Sequence, residues 1–207
     1  MGFIGPANEL GGRLEDRLRA LPTMFTSKTA REVGLSWEDL YRLRDQQIIV
    51  ELSRGLYRRA SAGPPTMPDL LAVSARAPRG MICLVSALGY WDLTDEMPGV
   101  VDLAVPRGTN QPTITYPPTK VHVFQAATFD LGRTQVPVGP EEHIWVSDRE
   151  RTIVDCFRPR TGVGTSISYN ALRSYMASPE AKPGRLLDLA RALRTFAVVR
   201  HALEVLG

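Results

Sequence analysis

Apolar residues recur every three or four positions near the start of the chain, and this spacing predicts short amphipathic helices. The stripe of the first helix consists of Leu10, Leu14, Leu18 and Leu21. That helix ends at Pro22, and a second, over 25–33, begins with hydroxyl residues and stops at Gly34. The third begins at Ser36, which forms a weakened capping box with Asp39 in place of the usual Glu or Gln.

After Gln47 the apolar pattern changes from that of helices to that of strands. The runs 48–52 and 56–58 flank a turn that contains Gly55, and together they predict a β-hairpin with Arg54 at its tip. Two short helices joined by a glycine turn and followed by a basic hairpin predict a winged helix-turn-helix.

A stretch rich in proline and glycine, 62–68, separates this segment from the rest of the chain. We therefore expect two domains, 1–65 and 66–207. The second contains a helix from Asp69, and its further predicted elements are strands at 100–105, 120–125 and 144–146 and helices at 148–157, 167–176, 185–195 and 198–206. Strands before a run of helices predict an α+β protein, in which a winged helix-turn-helix precedes a mixed α/β domain that ends in helices.

Charge is nearly balanced over the 207 residues, with 25 Lys and Arg against 22 Asp and Glu. Lysine occurs only at Lys28, Lys120 and Lys182, so arginine carries nearly all the positive charge, and arginine can bind phosphate or guanine through two hydrogen bonds. No apolar run is long enough to span a membrane and 1–12 lacks the features of a secretory signal, so we expect a cytoplasmic protein. Two cysteines and three scattered histidines predict no metal site.

The winged helix-turn-helix predicts DNA binding, with the third helix in the major groove and Arg54 on the backbone or in the minor groove. The alternative is a protein-docking module. Arginines on or near the recognition elements favour DNA: Arg42, Arg44, Arg54, Arg58 and Arg59. For Trp37 two interpretations stay open, a filler of the core and a contact with a base.

Three segments, in this order and spacing, resemble the AbiEi family of antitoxins, and most of all its mycobacterial members paired with nucleotidyltransferase toxins. They are FTSKTAREVGLSWEDLYRLRDQQIIVELSRGLYRR at 25–59, LVSALGYWDLTDEMPGVVDLAVPRG at 84–108 and DRERTIVDCFR at 148–158. The resemblance implies an antitoxin that represses its own promoter at inverted repeats. It also implies that the C-terminal domain neutralises a toxin of the AbiEii nucleotidyltransferase type encoded by the adjacent gene.

The same resemblance assigns residues to the DNA surface. Those expected to read DNA are Ser36, Trp37, Tyr41 and Arg42, those expected on phosphates are Arg44, Arg54 and Arg58, and Lys28 completes the DNA-binding set. The family offers no rule that fixes the residues facing the toxin.

The segment 158–166 is a glycine loop with flanking arginines, and it has two interpretations. As a plain loop between helices it needs no cofactor. In the second interpretation the loop begins a helix and binds phosphate, although the Lys and spacing of a Walker motif are missing. The antitoxin would then be an atypical serine/threonine kinase that phosphorylates the toxin with ATP and magnesium. Its nucleotide-binding residues are then Gly162, Gly164, Thr165 and Ser166, and its catalytic residues Asp148 or Asp155.

A third hypothesis is a transcription regulator whose C-terminal domain only dimerises or senses a ligand. Single histidines such as His122 and His143 are usually hydrogen-bonded structural or surface residues. Cys83 lies in an apolar run and Cys156 in a predicted helix, so both are expected as small buried hydrophobes rather than nucleophiles.

Overall fold

A computed structural model describes residues 6–139 and 142–206. Two parts of the sequence predictions lie outside the described residues: the side chain of Leu10, and residues 1–5 of the segment that is expected to lack a secretory signal. The described residues form nine α-helices and two β-sheets, so the expected α+β class is confirmed. Two compact units divide the chain. The first contains the residues up to Arg76 together with Pro137–Glu142, and the second contains Ala77–Val136 and His143–Gly207.

The first unit packs helices against a small antiparallel sheet with strand order β1-β3-β2. Its elements are α1 (Pro6–Arg19), β1 (Met24–Thr26), α2 (Ser27–Glu32), α3 (Trp37–Asp45), β2 (Ile49–Ser53), β3 (Leu56–Arg59) and α4 (Pro68–Arg76). Its core contains Leu18, Leu21, Phe25, Leu35, Leu40, Leu43, Ile49 and Tyr57. The predicted hairpin is confirmed as β2 and β3.

The expected helix over 25–33 is wrong at its start. Phe25 and Thr26 are extended because they pair with β3, opposite Tyr57 and Leu56. The Phe25 and Tyr57 rings stack with their centroids 5.9 Å apart, which fixes the strand against the core. The helix α2 therefore begins only at Ser27.

The polypeptide between the hairpin and α4 remains part of the first unit beyond residue 65. The helix α4 buries three residues, Leu71, Ala72 and Val73, and packs against β1. Its last residue, Arg76, donates to the Ser53 hydroxyl at 2.8 Å and to the Arg54 carbonyl at 3.1 Å. These contacts tie α4 to the turn of the hairpin.

The second unit is a five-stranded mixed sheet with strand order β6-β5-β4-β8-β7, covered by helices. Its elements are β4 (Met81–Ile82), α5 (Leu84–Tyr90), β5 (Val101–Pro106), β6 (Thr119–Phe124), β7 (Arg133–Pro137), β8 (His143–Ser147), α6 (Arg149–Cys156), α7 (Thr165–Met176), α8 (Pro183–Ala192) and α9 (Phe196–Leu206). The expected order of strands before helices is confirmed, while β4 and β7 are additional strands. None of the described helices is long and apolar enough to cross a membrane.

The helix α6 lies at the centre of this unit, and every residue from Glu150 to Cys156 is buried. Arg151 Nε donates to Asp155 Oδ2 at 2.6 Å, and both side chains are fully buried. Arg151 also donates to the carbonyls of Thr128 and Leu131. The buried arginine thus holds α6 to the chain segment that precedes β7.

Tyr175 connects three helices of the second unit. Its hydroxyl donates to Glu150 Oε1 on α6 at 2.8 Å and accepts from the backbone N–H of Lys182, just before α8, at 2.6 Å. Burial raises the pKa of the Tyr175 hydroxyl well above its ordinary value, so the group is a neutral donor. The side chain is fully buried.

We expect Tyr175→Phe to lower the free energy of unfolding by about 1–3 kcal/mol, because it leaves the partly buried N–H of Lys182 and a buried oxygen of Glu150 without the Tyr175 hydroxyl. The matched control is Tyr169→Phe, since the hydroxyl of the half-buried Tyr169 has no partner among the described residues. Urea unfolding of the two variants measures the difference. Equal losses in both would contradict the role assigned to the Tyr175 hydroxyl.

Candidate nucleic-acid interface

A cap at Ser36 fixes where α3 begins. The Ser36 hydroxyl accepts from the Asp39 N–H at 3.0 Å, and Asp39 Oδ2 accepts from the Ser36 N–H at 2.8 Å. The capping box expected from the sequence is therefore confirmed. The hydrogen bond from the Ser36 backbone lowers the pKa of the Asp39 carboxyl below its ordinary value.

One face of α3 is buried and the opposite face carries aromatic and cationic side chains. Leu40 and Leu43 lie in the core. Trp37 and Tyr41, one turn apart, are 46% and 50% exposed, so the interpretation of Trp37 as core filling is wrong. The Arg44 guanidinium lies 5.0 Å from the centre of the Tyr41 ring and continues the same stripe.

Arg42 lies on a neighbouring stripe of α3 and is exposed. Its guanidinium is 3.8 Å from Glu38 Oε1, in an exposed pair one helical turn apart. Such a pair contributes little and is easily exchanged for another anion. Arg44 is likewise held loosely, by Asp45 at 3.4 Å and Glu51 at 3.8 Å.

The helix α2 adds cations beside Trp37. A groove of about 430 Å³ is lined by Ser27, Lys28, Arg31, Glu32 and Trp37. Lys28 was predicted from the sequence, whereas Arg31 was not. Arg31 could have been predicted from its spacing, because residues three positions apart on one helix share a face and Arg31 lies three positions after Lys28.

The tip of the hairpin lies beside the start of α2. The Ser27 N–H donates to the Gly55 carbonyl at 2.9 Å, and Gly55 has a φ of +70°, which favours glycine. A Cβ at Gly55 would lie 3.0 Å from the Ser27 hydroxyl, so the two segments approach closely. Arg54 is thereby held near Lys28 with its side chain exposed and unpaired among the described residues.

These residues form one surface, which we call the basic face. It consists of Lys28, Arg31, Trp37, Tyr41, Arg42, Arg44 and Arg54. The hydroxyl of Ser36 borders it and is engaged in the cap of α3.

Arg58, expected on a phosphate, lies elsewhere. Its side chain is about 10% exposed and donates to Glu142 Oε1 at 3.0 Å and to the carbonyls of Ala62 and Gly63. Arg59 similarly donates to backbone carbonyls at the end of α1, including that of Leu18 at 2.6 Å. Both arginines hold the first unit together, and we leave Arg58 out of the basic face.

The two alternative carboxylates of the kinase hypothesis lie apart, and each is already paired with an arginine. Asp148 caps α6, whereas Asp155 lies seven residues further along the same helix, about 10 Å by the rise of an α-helix. Asp155 is fully buried against Arg151 and Arg158, and burial raises the pKa of its carboxyl while the two guanidiniums lower it. Asp148 pairs with Arg185 and raises its pKa.

The glycine loop is ordinary in its geometry. Gly162 has a φ of +73° after a turn of 3-10 helix, and Gly164 is the N-cap residue of α7. Thr165 and Ser166 follow as exposed residues of the first turn. No group of three or more metal-ligating side chains occurs in the ranges 6–139 and 142–206.

The two cysteines are buried in the second unit, as expected. Burial raises the pKa of the Cys83 thiol, and that of the Cys156 thiol, well above the ordinary value. A raised pKa removes the thiolate that a nucleophile requires. His122 is bonded through Nε2 to Asp102 Oδ1 at 2.7 Å, whereas His143 is exposed at the start of β8.

Among solved structures, the fold is similar to the crystal structure of the RV2827C protein from Mycobacterium tuberculosis. The two chains are 17% identical, the match covers 89% of this chain and 70% of that chain, and the TM-score is 0.52. At this identity the similarity extends to the fold alone. No protein-family model and no curated protein matches the sequence.

We expect Ser36→Ala to reduce the stability of α3 by about 1 kcal/mol, because the N-cap acceptor is lost. Amide hydrogen exchange in α3 measures the change. Ser36→Asn is the matched variant, since asparagine caps helices as well as serine does. A normal exchange rate in Ser36→Ala would show that the cap contributes nothing.

Proposed function

We propose that the first unit is a winged helix-turn-helix that binds DNA. The observation that carries the proposal is the two-sided character of α3, with Leu40 and Leu43 buried and Trp37, Tyr41 and Arg42 exposed on the far side. A helix of this kind, followed by a hairpin with an arginine at its tip, fits the docking geometry in which one helix enters the major groove.

The charges of the basic face support DNA over a protein partner. Lys28, Arg31 and Arg54 have no acidic partner among the described residues, so their charges are available to phosphates. Aromatic side chains between cations suit contacts with sugars and bases. In this assignment α3 reads the bases, while Lys28, Arg31, Arg44 and Arg54 bind the backbone.

We further propose that the chain is an antitoxin that represses its own operon at inverted repeats and neutralises a nucleotidyltransferase toxin from the adjacent gene. The support is the resemblance of the three sequence segments to AbiEi antitoxins, together with a fold that pairs the DNA-binding unit with a separate second unit. Asp155 is buried and paired with Arg151 and Arg158, which argues against its binding magnesium in the ATP-dependent alternative.

The DNA assignment predicts different losses for two arginines. Arg54→Gln should weaken binding to all DNA and reduce the slope of log K against log salt by about 1, because one phosphate contact is lost. Arg42→Gln should cost about 1–3 kcal/mol on DNA from upstream of the gene and little on scrambled DNA. A salt titration on both DNAs measures these changes.

Arg19→Gln is the matched control, since Arg19 is an exposed arginine of α1 whose side chain pairs with Glu15. The wild-type chain should prefer its upstream site by about 10³-fold or more. Absence of any preference at every salt concentration would reject specific DNA binding and leave the first unit as a docking module.

The antitoxin assignment predicts that the chain restores growth to cells that express the neighbouring toxin. Arg54→Gln should still restore growth when both genes are driven by unrelated promoters, because neutralisation then does not depend on DNA binding. Intact-mass measurement of the toxin accompanies this test, because the ATP-dependent alternative predicts that the toxin gains the mass of a phosphate group. Failure of rescue alongside specific DNA binding would leave a transcription regulator without antitoxin activity.

A further inference from the structure

A second basic region lies in the other unit, along the outer edge of the five-stranded sheet. The strand β6 is the last strand of that sheet, and beside it is a pocket of about 740 Å³, which we call the β6 pocket. Residues after β5, the turn after α6 and the turn between α8 and α9 complete its walls. The volume falls within the range typical of small-molecule sites.

The lining of the β6 pocket carries positive charge and no carboxylate. Its ionisable side chains are Arg107, His122, Arg158, Arg160 and Arg194. Lys120 lies close by, with its Nζ 3.9 Å from the position that a Cβ would take at Gly162. Segments far apart in sequence therefore converge on one site with cations.

Three of these arginines have no partner of their own. Arg107, Arg160 and Arg194 are exposed and make no ion pair or side-chain hydrogen bond with any residue that the structure describes. Most exposed arginines of α7, α8 and α9 differ in this respect; Arg191, for instance, pairs with Asp188 at 2.7 Å. Like charges that converge without counter-ions repel one another, and a bound anion relieves that repulsion.

The fourth arginine of the pocket, Arg158, is a cation that its neighbours hold in place. Arg158 is 3.1 Å from Asp155 Oδ1, and its guanidinium lies over the Phe124 ring. Asp155 is shared with Arg151, so two guanidiniums have one carboxylate between them and net positive charge remains. His122 is also held in place, by its bond to Asp102.

The backbone at Arg194 follows from the end of α8. Arg194 has a φ of +60°, the left-handed conformation that commonly ends a helix, and the N–H groups of Arg194 and Thr195 donate to the carbonyls of Arg191 and Ala190. These backbone hydrogen bonds hold the turn between α8 and α9, which places Arg194 in the lining of the pocket.

We propose that the β6 pocket binds a small ligand with several phosphate groups. Guanidinium groups bind phosphate oxygens through paired, charge-assisted hydrogen bonds, and several converging arginines match a ligand with more than one phosphate. A nucleoside triphosphate and an inorganic polyphosphate share this chemistry. The site would make the second unit a sensor of such a ligand, independently of DNA binding by the first.

Calorimetric titration of the full chain with sodium tripolyphosphate, ATP and adenosine, without divalent cations, tests the proposal. We expect tripolyphosphate and ATP to bind and adenosine not to bind. The pocket variant is Arg107→Gln with Arg160→Gln, which should weaken binding by about tenfold or more. Arg158 is left intact because it pairs with the buried Asp155.

Two double variants with the same loss of charge serve as controls. Arg173→Gln with Arg200→Gln changes exposed arginines of α7 and α9, and Arg31→Gln with Arg54→Gln changes the basic face. Both should keep affinity within about twofold of the wild type. Tighter binding of ATP than of tripolyphosphate identifies a nucleotide as the ligand, and equal binding identifies a polyphosphate.

The proposal is overturned by any of three results. They are the absence of binding by both polyphosphates, an equal loss in all three double variants, and a loss confined to the variant of the basic face. Circular dichroism melting of each variant checks that its fold is retained. DNA binding by the pocket variant should be normal, so failure of this proposal is distinguishable from failure of the proposed DNA binding.

Discussion

Burial of charged side chains on α6 is the constraint on which the second unit depends. A helix surrounded by protein on all sides must find internal partners for its ionic groups, because burial without a partner costs several kcal/mol. Arg151 and Asp155 meet this requirement together, and Arg151 additionally binds the carbonyls of Thr128 and Leu131. Removing one partner of such a pair typically costs about 3–5 kcal/mol, so the second unit needs both residues in order to fold.

The same constraint separates the arginines of the chain into two groups. Arg58 and Arg151 are buried and paired, Arg58 within the first unit and Arg151 within the second. Arg31, Arg54 and Arg107 are exposed and have no such partner in the described chain, so their charges are available to a ligand. The sequence shows only that all of them are arginines. Their roles follow from whether a carboxylate is nearby in three dimensions.

Local signals explain what the sequence could predict. The capping box of α3, the turn at Gly55 and the hydrophobic period of α7 to α9 depend on residues within a few positions of one another. The strand β1 was missed because its pairing with β3 involves residues about thirty positions away. The resemblance assigned Arg58 to phosphate, and the sequence could not show its pairing because the partner Glu142 is 84 positions distant. The β6 pocket is assembled from four separate segments, and the sequence indicated only one of them, the loop with flanking arginines at 158–166.

The small net charge of +3 conceals how the charges are distributed. Some carboxylates are buried on internal arginine partners, among them Glu142 with Arg58 and Asp155 with Arg151. Such carboxylates cancel positive charge in the sum but contribute little to the field outside, because their partners neutralise them at short range. The field at the basic face and at the β6 pocket is therefore set by the unpaired arginines and lysines nearby. A chain that is almost neutral in composition can in this way present two surfaces suited to anions.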